Sequence, residues 1–231
     1  MPGEASPERP QVAFLFDLDG TLLDSVYQHV LAWQEALQAA GIELATWRIH
    51  RRVGMSGGLF VRALAREIGR PVTPEDAERL QQLHRDGYVR RIAQVRPLPG
   101  AVDLLELLSS RSVPWAIATS GRREGSEQTI RLLGRKGPVV VTRDDVQRAK
   151  PDPDLLLTAA ARLGVPIVQC VVVGDSIWDL LAARRSGALG VGLLSGGYGE
   201  DELVRAGAYR VYEDPADLAR HLDELGVREL G

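Results

Sequence analysis

The chain has 231 residues, of which 45% are hydrophobic, and its formal net charge is −3. This length and apolar content are enough to bury a substantial core. The slightly acidic balance disfavours nucleic-acid binding, which requires a strongly basic face. No apolar run approaches the roughly 20 residues that cross a bilayer, and residues 1–10 contain no apolar signal-peptide core. We therefore expect a cytoplasmic protein without a nucleic-acid or membrane partner, and the sequence leaves its oligomeric state open between monomer and dimer.

The first predicted strand is followed by two aspartates. Residues 12–16 are uninterruptedly apolar, which is typical of a strand that is buried on both faces of a parallel sheet. Asp17 and Asp19 follow at a spacing of two, so in extended geometry both carboxylates leave the same face. Carboxylates this close raise each other's pKa unless a cation lies between them. The pattern favours a metal site over the alternative, an exposed Asp-Leu-Asp-Gly turn.

Residues 25–96 show helical periodicity and no convincing strand. Apolar residues recur at helical spacing in three stretches, which begin near Val30, Leu59 and Ala77. The pattern predicts an all-helical insertion with hinges near residues 24–25 and 96–97. We expect residues 1–10 to be a flexible lead-in, residues 11–24 and 97–231 to form the core domain, and residues 25–96 to form a small helical domain.

After about residue 98, helix and strand patterns alternate. This alternation predicts an α/β fold with a doubly wound, Rossmann-like parallel sheet. The predicted strands are residues 113–119, 138–142, 170–174, 189–194 and 209–212. The predicted helices are residues 98–108, 127–133, 154–163, 178–186, 201–206 and 215–225. Ligands of such sheets bind at the carboxyl ends of the strands.

Polar residues follow the later strands as well. Thr119 and Ser120 offer hydroxyl and backbone N–H donors for a phosphate oxygen, although Thr-Ser-Gly is also ordinary loop chemistry. Lys150 precedes a proline and is expected in a stiff, extended segment. Asp175 follows a buried strand and is placed to complete an oxygen shell around a hard cation. Asp179, one helical turn further on, either binds a metal through water or caps a helix.

These motifs resemble, in type and order, the four motifs of the haloacid dehalogenase superfamily of phosphotransferases. They are Asp17-Leu-Asp-Gly-Thr21, Thr119-Ser-Gly121, Lys150, and Asp175 with Asp179. Residues 196–208 also resemble the closing segment of the phosphoglycolate-phosphatase-like branch. The resemblance implies a small phosphorylated metabolite as substrate. It further implies that residues 25–96 are a cap of the first type, a lid that excludes water and contacts the non-phosphate part of the substrate.

The resemblance implies a role for each matching residue. Asp17 would attack phosphorus and form an aspartyl-phosphate, and Asp19 would act as general acid and then as general base. Mg²⁺ would be the cofactor, bound by Asp17, the main-chain carbonyl of Asp19, and Asp175. The phosphate would be held by Thr119, Ser120 and Lys150.

The residues favour one function and leave two alternatives. Asp19 favours a phosphatase or a sugar phosphomutase, because the dehalogenases of the superfamily lack the second aspartate. We expect Mg²⁺-dependent hydrolysis of a small phosphate monoester. The alternative is a β-phosphoglucomutase-like enzyme, which carries basic cap residues where this chain has Val53 and Gly57. A non-catalytic binding protein is less favoured, because Asp17, Asp19 and Lys150 are all present.

Several further residues are candidates for reading the leaving group. His29 matches a position found in the β-phosphoglucomutase branch, and the alternative is an ordinary helix residue. Arginines could bind an anionic leaving group, although for any single arginine a solvated surface position is favoured. These arginines are Arg48, Arg51 and Arg52 in the predicted cap, and Arg122 and Arg123 beside the second motif.

Overall fold

The computed structural model describes residues 12–69, 71–134 and 139–227. The strands are β1 (Ala13–Phe16), β2 (Leu23–Asp24), β3 (Arg96–Pro97), β4 (Trp115–Ala118), β5 (Val139–Val141), β6 (Cys170–Gly174), β7 (Leu189–Leu193) and β8 (Ala208–Tyr212). The α-helices are α1 (Val26–Ala39), α2 (Thr46–His50), α3 (Gly57–Ile68), α4 (Pro74–Val89), α5 (Ala101–Ser110), α6 (Arg123–Ile130), α7 (Asp154–Leu163), α8 (Ile177–Ser186), α9 (Glu200–Ala206) and α10 (Pro215–Arg220). The predicted lead-in of residues 1–10 and the predicted strand start at Pro138 lie outside the described residues.

Six of these strands form one parallel sheet in the order β5-β4-β1-β6-β7-β8. Strand β1 lies inside the sheet, where Phe16 pairs with Ile117 of β4 and with Val173 of β6. Because parallel strands point the same way, the carboxyl ends of β1, β4 and β6 meet at one edge. The predicted doubly wound α/β fold is confirmed, and it brings together three segments that are far apart in the sequence.

The alternation of side chains along β1 shows how helices cover both faces of the sheet. Phe14 and Phe16 lie in an apolar cluster that includes residues of α5, whereas Ala13 and Leu15 lie in a second cluster with residues of α7. Burial of a side chain such as Leu or Phe stabilises a fold by roughly 1.5–3 kcal/mol. The strand that leads to Asp17 is therefore firmly held on both sides.

Helices α1 to α4 pack around an apolar cluster of their own. Trp33 of α1 stacks on Phe60 of α3 with ring centroids 4.1 Å apart, and the same cluster includes Ile49 and Leu80. At the predicted hinges, strands β2 and β3 pair as a short antiparallel ribbon. The sequence does not show this ribbon, because two-residue strands are too short to carry a periodic pattern. Among the described residues, no helix has the length and apolar character needed to span a membrane.

Several helices have bounds that differ from the predicted ones, and helices α6 and α10 differ most. Helix α6 begins at Arg123, before the predicted start at residue 127, and ends at Ile130. Asp144 explains the early start, because its Oδ2 accepts a hydrogen bond from the backbone N–H of Arg123 at 2.9 Å and so satisfies a free donor of the first turn. Helix α10 ends at Arg220, and residues 222–225 form a separate 3₁₀ turn.

Candidate active site

Two of the predicted aspartates follow neighbouring strands of the sheet. Asp17 follows β1, and its backbone N–H donates to the carbonyl of Val173 in β6 at 2.9 Å. Asp175 follows β6 itself. Their relative exposures are only 5% and 4%, so solvent does little to separate their charges. Strand pairing thus places two buried carboxylates side by side.

Asp179 joins these two residues in an acidic cluster. One oxygen each of Asp17, Asp175 and Asp179 lie within 4.8 Å of one another. Lys150 provides opposite charge, since its Nζ lies 2.5 Å from Oδ1 of Asp17 and 2.7 Å from Oδ1 of Asp179. Lys150 is itself buried, so both ion pairs are shielded from water.

The electrostatics of the acidic cluster favour a further cation. Burial raises the pKa of Asp17 to about 7, with smaller contributions from Asp179 and Asp19, although Lys150 lowers it. Burial, Asp179 and Asp17 raise the pKa of Asp175 well above its ordinary value. Burial opposes the ammonium of Lys150, but the carboxylates of Asp17 and Asp179 outweigh it and raise the pKa of Lys150. A second cation would therefore stabilise the ionised form of the cluster.

The surroundings of Asp175 fit a small, hard cation such as Mg²⁺. Oγ1 of Thr21 donates to Oδ1 of Asp175 at 2.9 Å and fixes the carboxylate. A β-carbon at Gly20 would lie 2.4 Å from Oδ2 of Asp175, and one at Gly196 would lie 1.8 Å from it. Neither position has room for a side chain, so two backbone segments enclose the carboxylate. The donors of the cluster are carboxylate oxygens, the ligand type that Mg²⁺ prefers.

Asp179 uses its two oxygens differently. Oδ2 accepts hydrogen bonds from N and Oγ of Ser176 at 3.2 and 2.5 Å, which caps the N-terminus of α8. Oδ1 contacts Lys150. Capping therefore leaves one oxygen of Asp179 in the acidic cluster, so the two roles weighed from the sequence are compatible.

The side chain of Asp19 contacts helices α1 and α4 instead of the acidic cluster. Oγ of Ser25 donates to Oδ1 of Asp19 at 2.6 Å, and Nε2 of His29 lies 3.2 Å from the same oxygen. The hydroxyl of Tyr88 lies 3.4 Å from it. Burial alone would raise the pKa of Asp19, but His29 and Ser25 outweigh burial and lower it. The structure thus brings His29 into the site, against Asp19.

Thr119 and Ser120 lie at the same edge, directly after β4. Thr119 is buried, and its Oγ1 accepts a hydrogen bond from the backbone N–H of Gly121 at 3.0 Å. Oγ of Ser120 is also buried and has no hydrogen-bond partner within the described residues. An unsatisfied buried hydroxyl costs roughly 1–3 kcal/mol. Ser120 is therefore well suited to bind a polar ligand.

A cavity of about 630 Å³ connects this edge of the sheet with helices α3 and α4. Asp17, Asp19 and Ser120 line it from the sheet, and residues 53–58 line it from the helical region. Small-molecule sites commonly have volumes of about 300–1,000 Å³. The cavity can therefore hold a small metabolite in contact with Asp17.

Comparison with known proteins identifies the family. Residues 12–187 match the family of haloacid dehalogenase-like hydrolases. The chain belongs to this family. A phosphoglycolate phosphatase from Rhodospirillum rubrum is 31% identical over 227 residues, which cover 95% of this chain and 92% of the relative. A β-phosphoglucomutase from Bacillus subtilis is 29% identical over 217 residues, which cover 91% of this chain and 92% of the relative.

A solved structure agrees with these relatives. A hydrolase from Pseudomonas syringae is 57% identical, has a TM-score of 0.91, and matches 93% of this chain and 99% of its own. The predicted superfamily and branch are thus confirmed. The protein is a haloacid dehalogenase-like phosphatase, a phosphoric monoester hydrolase.

All five predicted arginines of this phosphatase lie in ion pairs. The pairs are Arg48–Glu67, Arg51–Glu202, Arg52–Glu67, Arg122–Asp144 and Arg123–Asp145. Arg51 and Arg52, which the sequence offers as substrate contacts, do not line the cavity, whereas Arg122 does. Arg62, Arg85 and Arg143 also line it, and sequence reasoning missed them because the pattern of apolar residues does not tell which exposed side chain meets a cavity.

Sequence reasoning also missed the residues that surround His29. Nδ1 of His29 lies 3.1 Å from Nε2 of His84, and its ring stacks on Tyr88 with centroids 3.8 Å apart. Burial, and to a lesser extent the neighbouring His29, lower the pKa of His84 well below its ordinary value and so favour its neutral form. His84 and Tyr88 both belong to α4. No local pattern marks them as partners of His29, which lies far from them in the sequence.

Proposed function

We propose that this phosphatase hydrolyses a small phosphate monoester, with Asp17 as nucleophile and Mg²⁺ as cofactor. The observation that carries the proposal is the position of Asp17. Its carboxylate lines the cavity, belongs to the acidic cluster, and lies against the ammonium of Lys150. A phosphate group in the cavity can therefore meet a nucleophile beside a positive charge.

The proposed Mg²⁺ ligands are the carboxylates of Asp17 and Asp175 and the main-chain carbonyl of Asp19. Asp179 supports this set, because it lies in the acidic cluster and holds Lys150. When bound, Mg²⁺ would offset the negative charge of the phosphoryl group and of the carboxylates around it.

The proposed reaction has two displacement steps. In the first, a carboxylate oxygen of Asp17 bonds to phosphorus, the bond to the leaving oxygen breaks, and Asp19, which enters this step in its protonated form, gives that oxygen its proton. In the second, Asp19 takes a proton from water, and the water oxygen bonds to phosphorus. The bond between phosphorus and Asp17 then breaks, which releases phosphate and restores the carboxylate. Lys150, Thr119 and Ser120 stabilise the non-reacting phosphate oxygens throughout.

We propose that residues 25–96 act as the cap, with the ribbon of β2 and β3 as hinge. Their separate apolar cluster supports movement as a unit, and closure would exclude water from the cavity. Arg62 and Arg85 bring positive charge to the cap side of the cavity. This charge favours a leaving group with a carboxylate or another anionic group, as in phosphoglycolate. We propose a cytoplasmic location, where such small metabolites occur.

The mutase alternative has one observation in its favour. Val53 and Gly57 line the cavity and cannot hold a second phosphate, but Arg62 and Arg85 line it too. We expect water to be the acceptor, with free phosphate released in proportion to the substrate consumed. Incubation with β-glucose 1-phosphate and a trace of the bisphosphate decides between them. Rapid formation of glucose 6-phosphate without equivalent phosphate would establish a mutase.

The main test is hydrolysis of p-nitrophenyl phosphate, which should require Mg²⁺ and stop on addition of a chelator. Asp17→Asn should lower turnover by about 10³-fold or more, because it removes the nucleophile. Asp201→Asn is the matched control, since the Asp201 side chain is 88% exposed. Mg²⁺-dependent turnover above about 1% of wild type in a folded Asp17→Asn variant would contradict the nucleophile assignment. A binding protein would show no hydrolysis at all.

A further inference from the structure

The cap region contacts the core at a second place that does not line the cavity. Nε2 of His50 lies 2.8 Å from the carbonyl oxygen of Gly196. Arg51 follows His50 in the chain, and its main-chain carbonyl accepts hydrogen bonds from Tyr198 at 3.0 Å and from Trp178 at 3.3 Å. The guanidinium of Arg51 lies 4.5 Å from the ring centre of Tyr198. The end of helix α2 is thus seated on the segment after β7.

The contact of His50 has a defined direction. A carbonyl oxygen only accepts hydrogen bonds, so Nε2 of His50 carries the proton and donates it to Gly196. The imidazole stacks on the ring of Tyr27, with centroids 5.5 Å apart, and packs against Tyr198 at 5.7 Å. Aromatic contacts on two sides restrict the ring to an orientation that aims Nε2 at the carbonyl.

Gly196 in turn lies directly against Asp175. A β-carbon at this position would lie 1.8 Å from Oδ2 of Asp175, which shows how closely the backbone approaches the carboxylate. The neighbouring Ser195 donates its hydroxyl to the carbonyl of Gly20 at 2.6 Å, and Gly20 borders Asp175 on another side. A shift of this loop would therefore move, or release, the carboxylate of Asp175.

We propose that His50 is a positioning residue for Asp175, and that it acts through the carbonyl of Gly196 to couple the seating of the cap to the metal site. The inference rests on the proposed Mg²⁺ site of Asp175. The bond between His50 and Gly196 joins the cap to the core, so it forms when the cap is seated and breaks when the cap leaves. The carboxylate of Asp175 is then best held for the cation when the cavity is closed.

The test is metal binding in the absence of substrate. Mn²⁺, which also prefers oxygen ligands, is titrated into metal-free protein, and the unbound ion is followed by electron paramagnetic resonance. His50→Phe keeps a ring between the two tyrosines and removes the donor. We expect its Mn²⁺ dissociation constant to rise about tenfold. This is the lower end of the loss in metal affinity that follows removal of a group that orients a metal ligand. His50→Gln, whose amide can still donate, should recover most of the affinity.

The matched control is His221→Phe. His221 also stacks on a tyrosine, Tyr212, and bonds a backbone carbonyl, so the chemical change is the same at a distant place, and its Mn²⁺ affinity should equal that of wild type. Circular dichroism checks folding, and His50→Asn, whose amide is too short to reach Gly196, replaces His50→Phe if that variant does not fold.

Two results would overturn the inference, and they are distinguishable. If wild type binds Mn²⁺ and the donor-free variant binds it within about threefold of wild type, His50 does not position Asp175 and the proposed function is unaffected. If wild type itself binds no Mn²⁺, the proposed metal site fails and this inference fails with it.

Discussion

Replacement of Lys150 by methionine tests the charge balance of the site most directly. Lys150 has a relative exposure of 1%, and its Nζ contacts Asp17 at 2.5 Å and Asp179 at 2.7 Å. Methionine keeps most of the side-chain volume and removes the charge. Breaking a buried ion pair by removing one partner costs about 3–5 kcal/mol, because the other charge stays buried without compensation. We expect Lys150→Met to lose a free energy of unfolding in this range.

The assay is urea unfolding at pH 8 in the presence of a chelator. Arg205→Met is the control, because Arg205 is 80% exposed and pairs with Asp201 at 3.7 Å, and an exposed pair contributes below about 1 kcal/mol. Added Mg²⁺ should reduce the difference in free energy of unfolding between Lys150→Met and wild type, since the ion supplies part of the missing positive charge. Turnover of p-nitrophenyl phosphate should fall by about 10³-fold, as expected for the loss of a group that stabilises the transferring phosphate.

The loss of stability should also depend on pH. Burial and the neighbouring acids raise the pKa of Asp17 to about 7 in the folded protein, and removal of the ammonium raises it further. A carboxyl whose folded pKa is raised destabilises the folded protein increasingly as pH rises from its unfolded pKa to its folded pKa. In wild type this destabilisation stops increasing near pH 7, whereas in the variant it increases further above pH 7. The difference in free energy of unfolding between the two proteins should therefore be larger at pH 8 than at pH 6.

Two results would refute this reasoning. A loss below about 1 kcal/mol at pH 8 with chelator would mean that the carboxylates do not depend on the buried ammonium. A loss that is equal at pH 6 and pH 8 would mean that the variant is destabilised by altered packing and not by charge.

Three further predictions concern the chemistry. Asp19→Asn should slow steady-state turnover by about 10²–10⁴-fold, yet it should give a burst of p-nitrophenolate equal in amount to the enzyme. The burst is expected because this leaving group needs no proton, whereas the second step needs a base. Absence of a burst would count against separate roles of Asp19 in the two steps. Beryllium fluoride with Mg²⁺ should inhibit by mimicking a phosphoryl group on Asp17, and a crystal structure with the fluoride elsewhere would contradict the assigned site. Arg62→Gln should raise the KM for phosphoglycolate by about tenfold, the effect of losing one charge-assisted hydrogen bond, and leave the KM for p-nitrophenyl phosphate unchanged. Equal changes in KM for both substrates would mean that Arg62 does not contact the leaving group.

The sequence alone indicates the parts of this protein that depend on local pattern. A run of apolar residues such as 12–16 must be buried on both faces, and polar residues directly after it must lie at a sheet edge. The order of strands and helices, the sheet type and the places of Asp17 and Asp175 directly after buried strands follow from this reasoning. Helix α7 and strand β6 lie where the pattern predicts them, because their periodicity or apolar run is uninterrupted.

Only the tertiary structure decides which exposed residues meet. The arginines show this, because Arg51 and Arg62 are equally compatible with solvent by sequence, yet Arg51 pairs with Glu202 and Arg62 lines the cavity. Partners such as His84 for His29, or His50 for Gly196, are distant along the chain. Periodicity indicates which side chains of a segment face the core and which face solvent. It carries no information on which distant residues an exposed side chain contacts. The acidic edge of the sheet was therefore predictable from the sequence. The side of the cavity that residues of α3 and α4 form, and the contact of His50 with Gly196, depend on how distant parts of the chain pack together.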